Sequence, residues 1–503
     1  MQAYSTTGKF GPELTVSVHW LKKAYEHAQK YPKTFDVHLI KSLELLIKFL
    51  TTGDEEYFRQ HSIEWTKSSS KVDYNFGFVE VYDDPKGFRG TFQAEATIKA
   101  LDIGKLNAIL PTIEQQLPLP NEYKRDAAKC IIPNASINAK IFGFGGLGPT
   151  YFTAAYCLPN YQDLRSNYGS KQIIYPATKG IGATLNPKMA HKLYYLKDEA
   201  AWLEKNDPDW KFHNGLWDVH VILHETLGHG SGKLATHTFK ESDNLTIEGK
   251  TYKVGDTIPV TDSNLPEFLV GYDSTLEELR AEIIALYVST HHLDQLVEQG
   301  FLKDWYHKLG KQELTKWLIF DMTNSAMGRM LAQSDTATEI AGDHARANCT
   351  ITNYLVKHGG VVIEEQKLTD DGKTYDVVGV SVRDVPKAIE GITQLMQEVQ
   401  RIKSTGDTQG VKKLIDTFGK PLNRRHMAIL KANEKVVSGD LKARAYLCPL
   451  LEAEVDNKGN VVDVKPHWAK DIFDYLAWSK AHAMSTLAGE PKKADTKSRG
   501  VEI

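Results

Sequence analysis

Two histidines five residues apart set the strongest condition on how this chain can fold. His224 and His229 stand in DVHVILHETLGHGSGKL (218–234), where the apolar residues before His224 indicate a buried helix. Five residues turn an ideal α-helix by about 500°, so the two imidazoles would lie about 140° apart and could not face one point. A π-bulge restores the register, and Gly228 supplies backbone freedom beside the second histidine. The sequence therefore predicts a local irregularity in this helix.

The same segment predicts a zinc site. Two histidines on one helix with a glutamate between them are typical of metal-dependent hydrolases, whose zinc takes three protein ligands and keeps one position open for water. We predict that His224, His229 and Glu278 bind one Zn²⁺ per chain. His220, four residues before His224, is an alternative ligand, although a core position or a hydrogen bond to a ligand is the preferred interpretation.

Glu278 belongs to a second predicted helix, which is rich in glutamate: DSTLEELRAEIIALY (273–287). Ser274 and Glu277 form a capping-box pattern, so the helix is expected to begin there. Glu278 and Glu282 share one face, and the apolar residues that follow bury the helix. Buried carboxylates are costly unless they are paired or bind a metal. A ligand role for Glu278, with Glu277 or Glu282 accepting a hydrogen bond from a ligand histidine, removes that cost.

Composition excludes several classes of protein. The 503 residues are 41% hydrophobic and 25% charged, which is ordinary for a globular chain with more than one domain or lobe. A net charge of -3 argues against a nucleic-acid partner. Without an apolar run of about 20 residues, no membrane segment is expected, and the N-terminus lacks a secretory signal. The four cysteines form no CxxC pair, which favours a reducing, cytoplasmic setting.

Periodicity predicts an α+β protein that is predominantly helical. The glycine-rich run 143–149 is interpreted as a tight turn, because it lacks the lysine of a phosphate loop. His291 and His292 are expected at the surface, and residues 490–503 are expected to be disordered. The predicted elements are helices over 12–70, 312–332, 337–358 and 384–403, a strand over 76–83, and hairpins over 245–259, 361–382 and 450–465.

Two motifs closely resemble those of the dipeptidyl peptidase III family of zinc exopeptidases. HETLGH (224–229) matches the family's HExxGH, and EELRAE (277–282) matches its EExxAE. The resemblance runs from about residue 12 to about residue 435. Further similar segments are GFVEVYDDPKGFRG (77–90), LPNYQDLR (158–165), DHARANCTITNYLVKHGG (343–360) and KSTGD (403–407).

The resemblance implies two lobes around a wide cleft. The helical, zinc-binding lobe would comprise 94–140 and 187–430. The second, substrate-binding lobe would comprise 1–93, 141–186 and 431–503. Family enzymes remove dipeptides from the N-terminus of short peptides, so short peptides are the expected partners of this chain. Family proteins usually carry a longer N-terminal region, and the chain is expected to be a fragment or a short form.

The resemblance and the chemistry of zinc hydrolases together assign two catalytic residues. Glu225, beside the ligand His224 but not itself a ligand, is predicted to take a proton from water and deliver it to the leaving amine. His344 matches a family catalytic histidine and is predicted to donate a hydrogen bond to the developing oxyanion.

Substrate-binding residues are implied by the resemblance alone. Asp73 and Asn160 match the acidic and asparagine side chains that hold the substrate's free amine in the family. Asn75 stands where many members have a tyrosine near the scissile bond. Cys157 and Asn348 replace a family asparagine and arginine.

These departures motivate two competing hypotheses. One is a zinc aminopeptidase or oligopeptidase with a different cleavage register, suggested by the short N-terminal part. The other is a zinc-containing protein that binds peptides without cleaving them. The intact Glu225 argues against the second, because a structural zinc site needs no base and is usually closed by four ligands.

Overall fold

The computed structural model describes most of the chain, and helices dominate it. The described residues are 5–80, 91–126, 134–144, 155–175, 193–437 without 210, 244, 332, 335 and 371, 450–467 without 456 and 458–460, and the single residues 474 and 477. The predicted α+β class is confirmed. Residues 81–90 and 145–150, which hold parts of two predicted segments, and the predicted tail 490–503 lie outside the described residues.

Three helices open the described chain: α1 (Gly11–Lys30), α2 (Val37–Thr52) and α3 (Glu55–Lys67). The side chain of Asp36 caps α2 by accepting the N–H of Leu39 at 2.8 Å. Gly53, at φ 75°, ends α2 in the left-handed conformation that glycine tolerates best. The helical prediction for 12–70 is confirmed, with breaks at these capping residues.

A five-stranded mixed sheet follows, in the order β1-β2-β3-β5-β4. Among the described strands of this sheet, β3 and β5 pair in parallel and the other neighbours pair antiparallel. The edge strand β4 packs against residues 224–229, so the sheet meets the predicted zinc helix directly. The elements of this region are β1 (Val72–Glu80), β2 (Thr91–Asp102), α4 (Gly104–Gln116), β3 (Asn134–Phe144), β4 (Ala155–Leu158), α5 (Gln162–Tyr168) and β5 (Lys171–Ile174).

A large helical region follows the sheet. Its helices are α6 (Lys197–Asn206), α7 (Lys211–Leu223), α8 (Leu265–Leu269), α9 (Asp273–His291), α10 (Leu293–Glu298), α11 (Lys303–Leu309), α12 (Lys311–Leu331), α13 (Asp343–Lys357), α14 (Val385–Thr405), α15 (Thr408–Phe418) and α16 (Arg424–Val437). Helix α9 is central, because α7, α12, α13 and α14 all pack against it. Every residue from Glu278 to Thr290 is buried, which explains its weak amphipathic pattern.

Antiparallel strand pairs occur in all three segments that were predicted to form hairpins. Residues 361–382 form one long hairpin, and residues 450–467 form another. Within 245–259 the hairpin is shorter than expected, because residues 257–259 pair with 236–238 instead. The remaining strands are β6 (Thr236–Thr238), β7 (Thr246–Ile247), β8 (Lys250–Thr251), β9 (Thr257–Pro259), β10 (Val361–Asp370), β11 (Lys373–Val382), β12 (Leu450–Val455) and β13 (Val461–His467).

Three local predictions are wrong. Helix α9 begins at Asp273 without a side-chain cap among the described residues, because Glu277 bonds to His229 rather than to the helix start. The helix expected from 337 begins only at Asp343. His291 is half-buried, since its ring stacks on Tyr287 with centroids 3.8 Å apart. No helix in the described part of the chain is long and apolar enough to cross a membrane.

Candidate metal and active site

The helix that carries the two histidines is irregular where the sequence requires it. Helix α7 passes directly into a π-helix over His224–His229, which confirms the predicted change of register. Gly228 is needed for space rather than for backbone freedom. A Cβ there would lie 2.7 Å from the Cα and carbonyl oxygen of Ala281, so only glycine lets the π-helix approach α9 this closely.

This close approach brings the predicted ligands together. The Nε2 of His224 lies 3.4 Å from Oε2 of Glu278, and the Nε2 of His229 lies 3.7 Å from the same oxygen. The two imidazole rings have centroids 4.7 Å apart. Side chains from the π-helix and from α9 therefore meet at one carboxylate.

Each of these histidines also faces a second glutamate of α9. The Nδ1 of His229 lies 2.9 Å from Oε1 of Glu277, and the Nδ1 of His224 lies 3.6 Å from Oε2 of Glu282. Such contacts fix the orientation and tautomer of an imidazole whose Nε2 faces a metal. Both Glu277 and Glu282 therefore face a predicted ligand histidine, and Glu277 is the one within hydrogen-bond distance.

Two further histidines reach the cluster. His220 places its Nε2 2.5 Å from Oε2 of Glu282, the carboxylate that faces His224, so it contacts a neighbour of a predicted ligand rather than a ligand itself. His344, in the first turn of α13, places its Nδ1 3.0 Å from Oε2 of Glu278, and its side chain remains 46% exposed. Two alternative triads have ligand atoms within 4.8 Å of one another: His220–His224–Glu282 and His224–Glu278–His344.

The donor atoms of this cluster suit zinc. Imidazole nitrogen and carboxylate oxygen are preferred zinc ligands, and tetrahedral bonds of about 2.0–2.1 Å place neighbouring ligand atoms about 3.3 Å apart. The 3.4 Å and 3.7 Å separations from Glu278 to the two histidines are close to that spacing. Glu278 therefore lies at a suitable distance to share a metal with either histidine, and the group containing Glu278 whose ligand atoms all lie within 4.8 Å of one another is His224–Glu278–His344.

The electrostatics also favour a cation. Burial would raise the pKa of Glu278, but the imidazoles of His344 and His229 outweigh it and hold that pKa well below its usual value. Burial would lower the pKa of His224, yet the charge of Glu282 and the hydrogen bond to Glu278 raise it well above its usual value. The carboxylates are thus ionised and draw positive charge, which a metal supplies when it displaces imidazole protons.

Glu225 lies beside the ligands and close to the sheet. It is 7% exposed, and its charge contributes to the raised pKa of His224. Burial raises the pKa of the Cys157 thiol in strand β4, and Glu225 adds to that shift. Cys157 is itself buried and accepts a hydrogen bond from Gln172 at 3.4 Å. Asn348 packs away in the helical core, where its amide lies 3.5 Å from the sulfur of Met322.

The residues implied to bind substrate are placed differently from one another. Asp73 is buried in β1, where Oδ2 accepts from Nζ of Lys171 at 2.8 Å and Oδ1 accepts from Nε1 of Trp65 at 2.9 Å. Asn75 is also buried and donates to Gln93 at 3.2 Å. Asn160 is exposed and donates to the carbonyl of Val79 at 3.3 Å. Of the three, only Asn160 is open to solvent.

Three cations near the ligands were not identified from the sequence, and the most distant of them, Arg165, lies 3.8 Å from Oε1 of Glu277. Arg280 and Lys403 both contact Glu277, the carboxylate that faces His229. Arg280 lies inside EELRAE and Lys403 begins KSTGD, so the motifs contained them. Their shared target could not be inferred, because it depends on how α14 packs against α9.

Comparison with known proteins places these observations in context. The model of the family described as "Peptidase family M49" matches residues 2–446 of this chain. The chain is 27% identical to dipeptidyl peptidase 3 of Homo sapiens over 443 residues, covering 82% of this chain and 54% of that protein. It is 24% identical to dipeptidyl peptidase 3 of Dictyostelium discoideum, covering 93% and 66%. The chain thus spans about half the length of the human protein.

Solved structures agree at the level of the fold. Dipeptidyl-peptidase III from Corallococcus sp. strain EGB superposes with a TM-score of 0.58 at 18% identity, covering 86% of this chain and 68% of that one. The enzyme from Caldithrix abyssi gives 0.54 at 17% identity, covering 86% and 70%.

Proposed function

Because the chain belongs to peptidase family M49, we propose that it is a zinc-dependent metallopeptidase that releases dipeptides from the N-terminus of short peptides. The observation that carries this proposal is the convergence of His224, His229 and Glu278 beside the buried Glu225. The names of the relatives support the dipeptide register, and the two-lobed division given above is retained as part of the proposal.

His224, His229 and Glu278 would hold the metal. When bound, zinc acts as a Lewis acid towards the scissile carbonyl and lowers the pKa of water to about 7. Glu277 would keep the imidazole of His229 oriented by accepting a hydrogen bond from its Nδ1–H at 2.9 Å, and the carboxylate of Glu282, 3.6 Å from Nδ1 of His224, would hold that ring electrostatically.

Glu225 would move the proton. As the residue after His224, it lies beside the predicted ligands and is buried there. Its carboxylate would take a proton from the attacking water and deliver it to the nitrogen of the departing amine. Proton transfer of this kind contributes about 10²–10⁴-fold to a rate.

His344 would stabilise the charge that develops on the carbonyl oxygen. It begins α13 at the exposed side of the cluster, with a side chain 46% exposed and therefore accessible to a substrate. A hydrogen bond to a developing oxyanion contributes about 3 kcal/mol. Asn160, also exposed, would contact the substrate from the sheet.

Mass spectrometry of a defined octapeptide incubated with the zinc-loaded protein tests this proposal. We expect dipeptides as the first products, and Glu225→Gln should retain zinc while turnover falls by about 10²–10⁴-fold. Release of single residues would favour the aminopeptidase hypothesis. Zinc binding without any cleavage by the wild-type protein would favour the non-catalytic binder.

A further inference from the structure

The KSTGD segment (403–407) has no part in the mechanism proposed above. It joins α14 to α15 through a tight turn. Gly406, at φ 62°, ends α14, and the side chain of Asp407 starts α15 by accepting the N–H of Gly410 at 3.0 Å. This turn fixes the last residues of α14, among them Lys403 and Ser404.

Those last residues contact the chain that follows the π-helix. The hydroxyl of Ser404 donates to the carbonyl of Lys233 at 2.7 Å, and the N–H of Ala235 donates to the carbonyl of Ser404 at 2.8 Å. His237 places its Nδ1 2.7 Å from the carbonyl of Thr405. The end of α14 therefore lies directly behind the segment that carries His229.

Lys403 extends this contact to a single carboxylate. Its side chain is 6% exposed, and its Nζ contacts Oε2 of Glu277. Arg280, with a fully buried side chain, reaches both oxygens of Glu277 at 2.8 Å and 3.0 Å. Oε1 of Glu277 faces Nδ1 of His229 at 2.9 Å. The guanidinium of Arg165 lies farther away, 3.8 Å from Oε1. One carboxylate is thus held between three cations and one imidazole.

We propose that Lys403 is a positioning residue for the predicted metal ligand His229. Its ammonium group holds Glu277 in the position where that carboxylate accepts a hydrogen bond from the Nδ1–H of the imidazole. The inference rests on the proposed zinc site, which supplies the reason for orienting His229. Lys403 itself touches neither substrate nor metal.

Two observations favour this role over that of an ordinary structural ion pair. Burying an ammonium is costly unless it is paired, and the other hydrogen bond of Lys403 is a long one, 3.4 Å to the amide oxygen of Gln162. Arg280 also donates hydrogen bonds to the carbonyls of His229 and Ser231, at 3.1 Å and 3.0 Å, so its interactions are not confined to Glu277. Arg165 lies 3.8 Å from Glu277 and also donates to the carbonyl of Asn160 at 3.4 Å. Of the three cations, Lys403 is therefore the one whose close contacts are concentrated on Glu277.

The zinc dissociation constant, measured by competition with a chromophoric chelator, separates a positioning role from a purely structural one. The loss of a group that orients a metal-binding imidazole weakens metal binding by about 10–100-fold. We expect Lys403→Met to weaken zinc binding by about tenfold and Glu277→Gln by a similar or larger factor. The double variant should bind no more weakly than Glu277→Gln alone, because both changes act through the same carboxylate.

Lys171→Met is the matched control, since it removes an equally buried lysine that pairs with Asp73 in the sheet. It should leave the zinc dissociation constant unchanged. Lys403→Arg should retain binding within about threefold, whereas Lys403→Gln should not. If circular dichroism shows that Lys403→Met is unfolded, the comparison of Lys403→Arg with Lys403→Gln tests the positioning role instead.

Unchanged zinc affinity in folded Lys403→Met and Lys403→Gln would overturn the inference, as would effects of Lys403→Met and Glu277→Gln that multiply in the double variant. Failure of the zinc site itself is a separate result. It would appear as zinc affinity that survives Glu278→Ala, whatever the Lys403 variants do.

Discussion

Two buried histidines, one in the N-terminal region and one in the candidate metal site, are shifted in opposite directions. Burial lowers the pKa of His61 to about 3, with a smaller contribution from the charge of Lys171. Burial acts on His224 in the same direction, but Glu282 and Glu278 raise its pKa well above the usual value. Burial alone therefore does not identify a functional histidine. At His229 burial outweighs the charges of Glu278 and Glu277 and lowers the pKa, so the balance of burial and nearby charge differs between the two predicted ligands.

Two buried carboxylates, Asp73 and Glu278, also differ in the groups that compensate their charge. Asp73 in the sheet already faces the ammonium of Lys171 at 2.8 Å, so its charge is compensated within the protein. Glu278 in α9 faces three imidazoles, at 3.0, 3.4 and 3.7 Å. An imidazole nitrogen loses its proton when a metal binds in its place, whereas the ammonium of Lys171 keeps its proton and stays paired with Asp73. We infer that the helical site is built for a cation and that the Asp73 pair is structural.

The largest expected effect is that of Glu278→Ala. Removing a direct ligand should lower zinc affinity by more than the roughly 10–100-fold typical of losing an outer partner. Peptidase activity should be lost with the metal. Metal analysis after dialysis against a chelator tests this, and zinc retained at one per chain would contradict the ligand set.

Asp73→Asn should act on stability instead. It leaves Lys171 buried and unpaired, which costs about 3–5 kcal/mol of unfolding free energy. Zinc affinity should stay unchanged, and the double variant Asp73→Asn/Lys171→Met should recover much of the lost stability. Chemical denaturation measures the first effect. A large rise in KM for the double variant, once folded, would restore Asp73 as the group that binds the substrate's ammonium.

The smallest effect, taken over one pH unit, concerns His61. Because the pKa of folded His61 is about 3, below its unfolded value of 6.5, the unfolded state binds a proton that the native state lacks. Stability is therefore lost as pH falls below 6.5 towards 3, by about 1.4 kcal/mol per pH unit. Hydrogen exchange in α2 and α3 should show this slope in the wild type and not in His61→Gln. Equal slopes would show that His61 is not kept neutral.

The sequence predicted that these histidine and glutamate side chains come together, because their spacing is encoded locally. The five-residue spacing of His224 and His229 required a π-helix, and Glu277, Glu278 and Glu282 share one helix. The ionic partners could not be predicted. Lys171 is 98 residues from Asp73, and Lys403 is 126 residues from Glu277. Such pairs depend on the packing of distant elements, which residue periodicity does not report.

Anomalous diffraction at the zinc edge, from crystals of the zinc-loaded protein, tests the central claim most directly. We predict one peak within about 2.0–2.2 Å of Nε2 of His224, Nε2 of His229 and a carboxylate oxygen of Glu278. His344 should remain outside bonding distance. A peak bound by His220 and Glu282, or by His344 in place of His229, would contradict the assignment.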